Sequence, residues 1–343
     1  MANPFTERSR ITDPAKFAGR WREVSMVFER LERRRPVMLA GQPGVGKSST
    51  LTHVAQSAGA VLELPTLASF FIDLAAMPDA ATVYRLLARD LGGRGDAPED
   101  LLAALRRAGR PAIVCLDRAD TAIAAGWGEG LLERMARIAR ASVPSEVGGI
   151  AAAGENLHDL MLVAAGGASP PALSEPFAAV GLGALAPAEV RLLAEAYLDE
   201  GGVQFSQGEL RELAALSAGH PAYLQRAAFH LYEAHTRPDY DWRAAYLGEA
   251  RERPIPGAPL PPEAFRGEGD AAREESIYGQ GAPPAGVARQ PELHVEGVGA
   301  LASALLPPIV ALLVYQLGAG WLAAVAVLVL GYAAVVLLTR RQR

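Results

Sequence analysis

The stretch Gly41-Gln42-Pro43-Gly44-Val45-Gly46-Lys47-Ser48 carries the clearest chemistry in this chain. It fits G-x-x-x-x-G-K-[ST], the spacing of a loop that wraps phosphate. Glycines at 41, 44 and 46 let backbone N–H groups close on phosphate oxygens with no Cβ in the way. A helix starting near Lys47 adds unpaired N–H groups and the positive end of its dipole. Lys47 then reaches the β- and γ-phosphates and the Ser48 hydroxyl is a Mg²⁺ ligand, with Gln42, Pro43, Val45 and Ser49 completing the binding set. Lysine and arginine together number 33, yet only Lys16 and Lys47 are lysine. One of the two compact ammonium groups stands where a point charge suits a phosphate.

A second stretch, Ala112-Ile113-Val114-Cys115-Leu116-Asp117, ends a wholly apolar run in a carboxylate. A buried parallel strand delivers such a group to its C-terminal edge, where α/β sheets place ligands. Asp117 is therefore expected to hold Mg²⁺ through its water shell. The next residue is Arg118, which stays protonated and cannot act as a base. Asp120, three residues after Asp117, is the next carboxylate, and equally reads as the N-cap of a following helix.

The elements that position these groups follow from periodicity. Apolar residues at helical spacing predict a helix over 21–35, with Trp21 and Phe28 on its packed face. Short apolar runs predict strands at 37–40, 61–64, 112–117, 160–165 and 177–182, and helices are expected at 48–58, 81–91 and 100–108. Alternating strands and helices imply a parallel sheet with helices on both faces. From 184 the pattern is helical only. Pro187 suits a first turn, Leu192, Leu193, Ala196 and Tyr197 are assigned one apolar face, and Ser206 with Glu209 has capping-box spacing. Gly219-His220-Pro221 precedes a helix to about 235 and reads locally as a helix-to-helix turn.

Phe17, Gly19, Arg20 and Glu23 form an F-x-G-R-x-x-E segment, followed by a helix, a strand and the phosphate loop. This order resembles the opening of the STAND class of signalling ATPases and of their AAA+ relatives, the archaeal and replication-initiator ATPases. The resemblance covers about residues 10–250. It implies ATP and Mg²⁺ as cofactors, with Gly19 and Arg20 on the nucleotide side of an arm packed beside the adenine. It also implies catalytic roles for Lys47, Asp117 and Asp120, and a helical lid whose Gly219-His220-Pro221 resembles the G-x-P signature, with Pro221 against the nucleotide. Ala222, where replication initiators carry a sensor arginine, favours the STAND reading. Arg118, and Ser169 as the nearest hydroxyl to the expected sensor position, depart from the family pattern and predict slow hydrolysis. A nucleic-acid-associated ATPase of the replication-initiator type and a non-hydrolysing nucleotide-binding membrane scaffold are the alternatives.

The domains expected are an arm and helix at 1–35, a P-loop NTPase core at 36–183 and a helical lid at 184–250. A Pro/Gly-rich disordered linker at 251–298, a transmembrane hairpin at 299–338 and a basic tail at 339–343 follow. Two apolar runs of 18–19 residues broken at Gly318-Ala319-Gly320 carry the hairpin reading, and a buried soluble hairpin is the alternative. Arg340, Arg341 and Arg343 favour a cytoplasmic end, and no apolar leader opens the chain, so a multi-pass membrane protein with cytoplasmic core and termini is expected. The expected partners are ATP or ADP, the lipid bilayer, an unidentified protein and a second copy of the chain. The net charge of −5 and the lack of room for a winged helix argue against nucleic acid. The single cysteine, Cys115, excludes an intramolecular disulfide and reads as a core residue.

Overall fold

The computed structural model describes residues 3–142, 158–167, 176–198 and 203–261, all within one compact unit. Five strands, β1 (Val37–Ala40), β2 (Ala68–Asp73), β3 (Ala112–Asp117), β4 (Leu160–Gly166) and β5 (Ala178–Gly181), form one parallel sheet in the order β2-β3-β4-β1-β5. The first part of the chain also supplies helices α1 (Trp21–Glu32), α2 (Lys47–Val61), α3 (Ala80–Asp90), α4 (Pro98–Ala108), α5 (Ala119–Ala124) and α6 (Gly128–Arg140).

Strand alternation sorts these helices onto two faces, because successive side chains point to opposite sides of a sheet. Val37, Leu39, Ile113, Cys115, Met161 and Val163 pack with Val27, Leu31, Leu51 and Val54 of α1 and α2. Met38, Val114, Leu116, Leu162 and Ala164 pack with α3, α4, α5 and α6 through Leu87, Leu101, Ala122 and Leu132. Both faces of the central strands are covered, which is why they read as unbroken apolar runs.

A helical domain follows: α7 (Pro187–Leu198), α8 (Gln207–Ser217), α9 (Pro221–Thr236) and α10 (Trp242–Glu252). Its core gathers Leu193, Tyr197, Leu213, Leu224, Leu231 and Tyr246, and takes in Phe5 from the N-terminal arm. Phe5 stacks between Tyr197 and Phe205 at centroid distances of 5.2 and 5.8 Å. The capping box at Ser206 forms: Glu209 N donates to the Ser206 hydroxyl and Ser206 N to the Glu209 carboxylate.

Four local expectations are corrected. The strand read at 61–64 is the end of α2 and its exit turn. The helix runs on through Ala58-Gly59-Ala60-Val61, and the chain leaves it through Glu63 at φ 55°. The second strand is Ala68–Asp73 instead, at the sheet edge, where partial exposure blurs its pattern. Trp21 is 58% exposed at the start of α1, while Phe28 is buried as expected. The buried face of α7 is Val190, Leu193, Ala194, Tyr197 and Leu198, with Leu192 turned outward. Helix α10 runs past 250 to Glu252, and Ile255 and Leu260 beyond it pack on the helical core. The apolar runs at 299–338 lie outside the described residues. Among the described residues no helix is long and apolar enough to cross a membrane.

Candidate functional site

The loop between β1 and α2 begins at Gly41, where β1 ends after pairing in register with β4 and β5 up to Ala40. Val45 folds back into the core beneath the loop and its N–H is directed to the Gln42 carbonyl at 3.4 Å. Gly41 passes so close to β5 that a Cβ there would stand 2.5 Å from the Leu182 carbonyl oxygen. Gly44 and Gly46 take φ of 77° and 93°, the left-handed region that lets neighbouring N–H groups converge. Gly46 is the N-cap of α2, and nothing lies within 4 Å of a Cβ built there, so the helix N-terminus opens onto free space.

Lys47 is the first residue of α2, and its ammonium donates to the loop carbonyls of Gly41 (2.7 Å) and Gln42 (2.9 Å). Burial lowers its pKa, while the Asp120 and Asp117 carboxylates act in the opposite direction. The sheet edge therefore brings Lys47, Asp117 and Asp120 into one electrostatic neighbourhood. Asp117 is buried at the end of β3, and its Oδ1 accepts the Arg118 N–H at 3.0 Å. Asp120 lies in the first turn of α5, against the end of β4. The N-cap of α5 is Arg118, not Asp120, at φ 55°. The Arg118 guanidinium turns away to the Asp73 carboxylate, with Nε 2.6 Å from Oδ1 and Nη2 on Oδ2. Asp73 stands in register with Asp117 on the neighbouring strand.

A cavity of about 410 Å³ lies between the loop, the arm and the helical domain. Gly44, Val45, Gly46, Lys47, Ser48, Ser49 and Thr50 supply its phosphate-loop wall. Phe17, Leu185, Leu193 and Ile255 are among its apolar walls, and Pro221, Ala222, Gln225 and Arg226 face it from α9. The arm is tied down across α2: Ile11 N–H donates to the Ser49 hydroxyl at 3.0 Å, and the Gln56 amide to the Thr12 carbonyl at 3.0 Å. Thr50 presents a buried hydroxyl with no partner.

Arg20 is 3% exposed and is an N-cap in the left-handed region. It lines the cavity, but its guanidinium is spent on Val45 O (3.1 Å), Gly183 O (2.5 Å) and Glu23 (3.2 Å), while its own N–H donates to Glu189. Arg20 thus pins the loop to the start of the helical domain. Gly19 does not line the cavity. At φ 76° it lets Glu189 of α7 approach, since a Cβ there would meet Glu189 at 3.1 Å.

The Gly219-His220-Pro221 turn lies on the loop itself. Pro221 is the first residue of α9 and lines the cavity. His220 Nε2 is 3.0 Å from the Pro43 carbonyl, and a Cβ at Gly44 would come within 2.7 Å of the imidazole. Past α10 the chain returns to the same place. Ile255 N–H donates to the Tyr223 hydroxyl at 3.1 Å, Ile255 and Pro256 line the cavity, and a Cβ at Gly257 would meet Pro43 at 3.2 Å. Sequence reading missed Gln225, Arg226 and this return. One turn after Pro221, positions 225 and 226 were findable from helix spacing alone, whereas the return carries no local signal.

These residues fit a Mg²⁺–nucleoside triphosphate. The open N-terminus of α2, two left-handed glycines and a lysine suit phosphate, and Ser48 with Asp117 supplies oxygen donors. Among the described residues no three His, Cys, Asp or Glu side chains gather to hold a metal by themselves. Ser169 lies outside the described residues.

No protein-family model matches the chain, and no curated protein matches it. Among solved structures it is similar to the Walker-type ATPase of Pyrococcus abyssi, at 16% identity over 80% of this chain and 81% of that one, with a TM-score of 0.51. The Orc1 protein of Aeropyrum pernix, solved in complex with DNA, aligns at 16% identity over 75% and 72% with a TM-score of 0.48. The Thermotoga maritima RuvB Holliday junction branch migration motor aligns at 16% over 87% and 86% with a TM-score of 0.44. The first likeness shows the fold: this chain has the architecture of a P-loop ATPase. The comparisons lend no support to the expected absence of nucleic acid.

Proposed function

We propose that this chain is an ATP-binding switch of the STAND type, in which the helical domain is a lid that reads the occupancy of the phosphate loop. The observation that carries the reading is the contact of His220 with the Pro43 carbonyl of the loop, next to Pro221, which lines the 410 Å³ cavity. A nucleotide whose phosphates lie on Gly46–Ser48 has its base and ribose against the arm and α9. Any change at the phosphates is then felt at the lid through Pro43 and Gly44. Hydrolysis is slow in this reading, because the residue after Asp117 is an arginine already paired with Asp73. The apolar runs at 299–338 tether the switch to a bilayer as a multi-pass protein with the nucleotide domain on the cytoplasmic side. There an unidentified protein, or a second copy, reads the lid.

Thermal unfolding of the full chain with and without MgATP tests the binding. Charge-assisted phosphate contacts are worth roughly 1.5–3 kcal/mol each. Lys47→Ala therefore loses most of the ATP-induced rise in Tm and keeps the wild-type Tm without nucleotide to within a few degrees. Equal ATP shifts for the two proteins reject the site. Flotation with lipid vesicles tests the tether separately: the full chain floats and a chain ending at residue 261 does not, whereas equal flotation refutes the anchor.

A further inference from the structure

Gln225 is 7% exposed, and neither its Oε1 nor its Nε2 has a hydrogen-bond partner. An amide buried without partners is costly, and such groups call for a ligand or a water. It lies on α9 one turn beyond Pro221, on the side that lines the core–lid cavity. Its neighbour is Tyr197. That hydroxyl donates to the Glu7 carboxylate at 2.8 Å, and the Gln225 amide stands beside the Tyr197 oxygen at the edge of hydrogen-bond reach. Burial, then Glu7, hold the Tyr197 pKa far above its ordinary value, so its proton stays on the hydroxyl.

With that proton committed to Glu7, the Tyr197 oxygen offers Gln225 only lone pairs. The N–H₂ end of the amide suits that side, and Oε1 is left for a group that donates. We propose that Gln225, oriented by the Glu7–Tyr197 pair, reads the base in this cavity, its Oε1 accepting from the 6-amino group of adenine. The inference rests on the nucleotide reading above and adds the side chain that selects the base. Phosphates on the loop leave the base to the rest of the cavity, whose walls include Phe17, Leu185, Leu193, Ile255 and residues of α9. Both amide atoms are closed off from water. Rotation about the outer torsions of Gln225 brings Oε1 to the cavity as the base enters. A 6-oxo purine presents an acceptor at the same place, and turning the amide over to suit it would set Oε1 against the Tyr197 lone pairs.

The test is competitive binding of MgATP and MgITP to the full chain, since inosine carries a 6-oxo group and an N1–H where adenosine has a 6-amino group and a bare N1. One matched against one mismatched hydrogen bond predicts that ATP binds about tenfold tighter. Gln225→Leu brings the ratio to within about twofold, and Tyr197→Phe lowers it because nothing then orients the amide. Equal wild-type affinities that both depend on Lys47 overturn the role of Gln225 and leave the nucleotide site standing. So does an ATP preference that survives Gln225→Leu. Wild-type protein that binds neither nucleotide overturns both readings. If Gln225→Leu does not fold, the wild-type ratio and Tyr197→Phe decide the matter.

Discussion

Arg118 shows how a single position sets what the site can do. Its backbone is left-handed, its N–H caps the Asp117 carboxylate, and its guanidinium pairs with Asp73 across the strand edge. No acid therefore follows Asp117 to orient water, although Asp120 lies close enough to act on Lys47. A positioned acid or base contributes about 10²–10⁴ in rate. Arg118→Glu, combined with Asp73→Asn to remove the like charge it would face, is expected to raise phosphate release at least about tenfold over wild type. A wild type already as fast as the double variant would show that Asp120 orients the water. The spacing of Gly41 to Ser48 and the apolar run to Asp117 were legible in sequence because each depends only on residues next to one another. The partner of Arg118 was not legible, since Asp73 comes from a strand placed wrongly at 61–64.

At the scale of elements, the same distinction separates what was read from what was missed. Central strands covered on both faces declared themselves as apolar runs, and so did the capped start of α8. The edge strand β2 did not, because partial exposure leaves it no clean period. The junction of α8 and α9 is a turn by sequence and a latch by structure, with His220 Nε2 on Pro43 O. Burial lowers the pKa of His220, the Pro43 carbonyl partly opposes this, and the Arg20 and Arg226 charges add to the fall. Between that lowered pKa and the ordinary value near 6.5, the unfolded chain holds more protons than the folded one, so stability rises with pH. Stability is therefore lost as pH falls below about 6.5. Burial shifts His53 in the same direction, so the comparison has to isolate His220. Tm measured from pH 7 to pH 5 is expected to fall more steeply for wild type than for His220→Gln, whose amide can still donate to Pro43. Parallel slopes would show that the latch does not titrate.

Across the whole molecule, the arm, the lid and the return at 253–257 all converge on one loop, although they lie at opposite ends of the described chain. Phe5 and Tyr197 join arm to lid, Ser49 joins arm to α2, and Ile255 and Gly257 bring the stretch after α10 onto Pro43 and Gly44. The return was not legible in sequence: residues 251–261 have a linker's composition, and their order comes from contacts with Tyr223, Arg226 and the loop. Amide hydrogen exchange of the full chain, with and without MgATP, tests the central claim that the lid reads the loop. Protection is predicted at 44–50 together with 220–226 and 253–257. Protection confined to 44–50 would contradict it, because the nucleotide would then bind without engaging the lid.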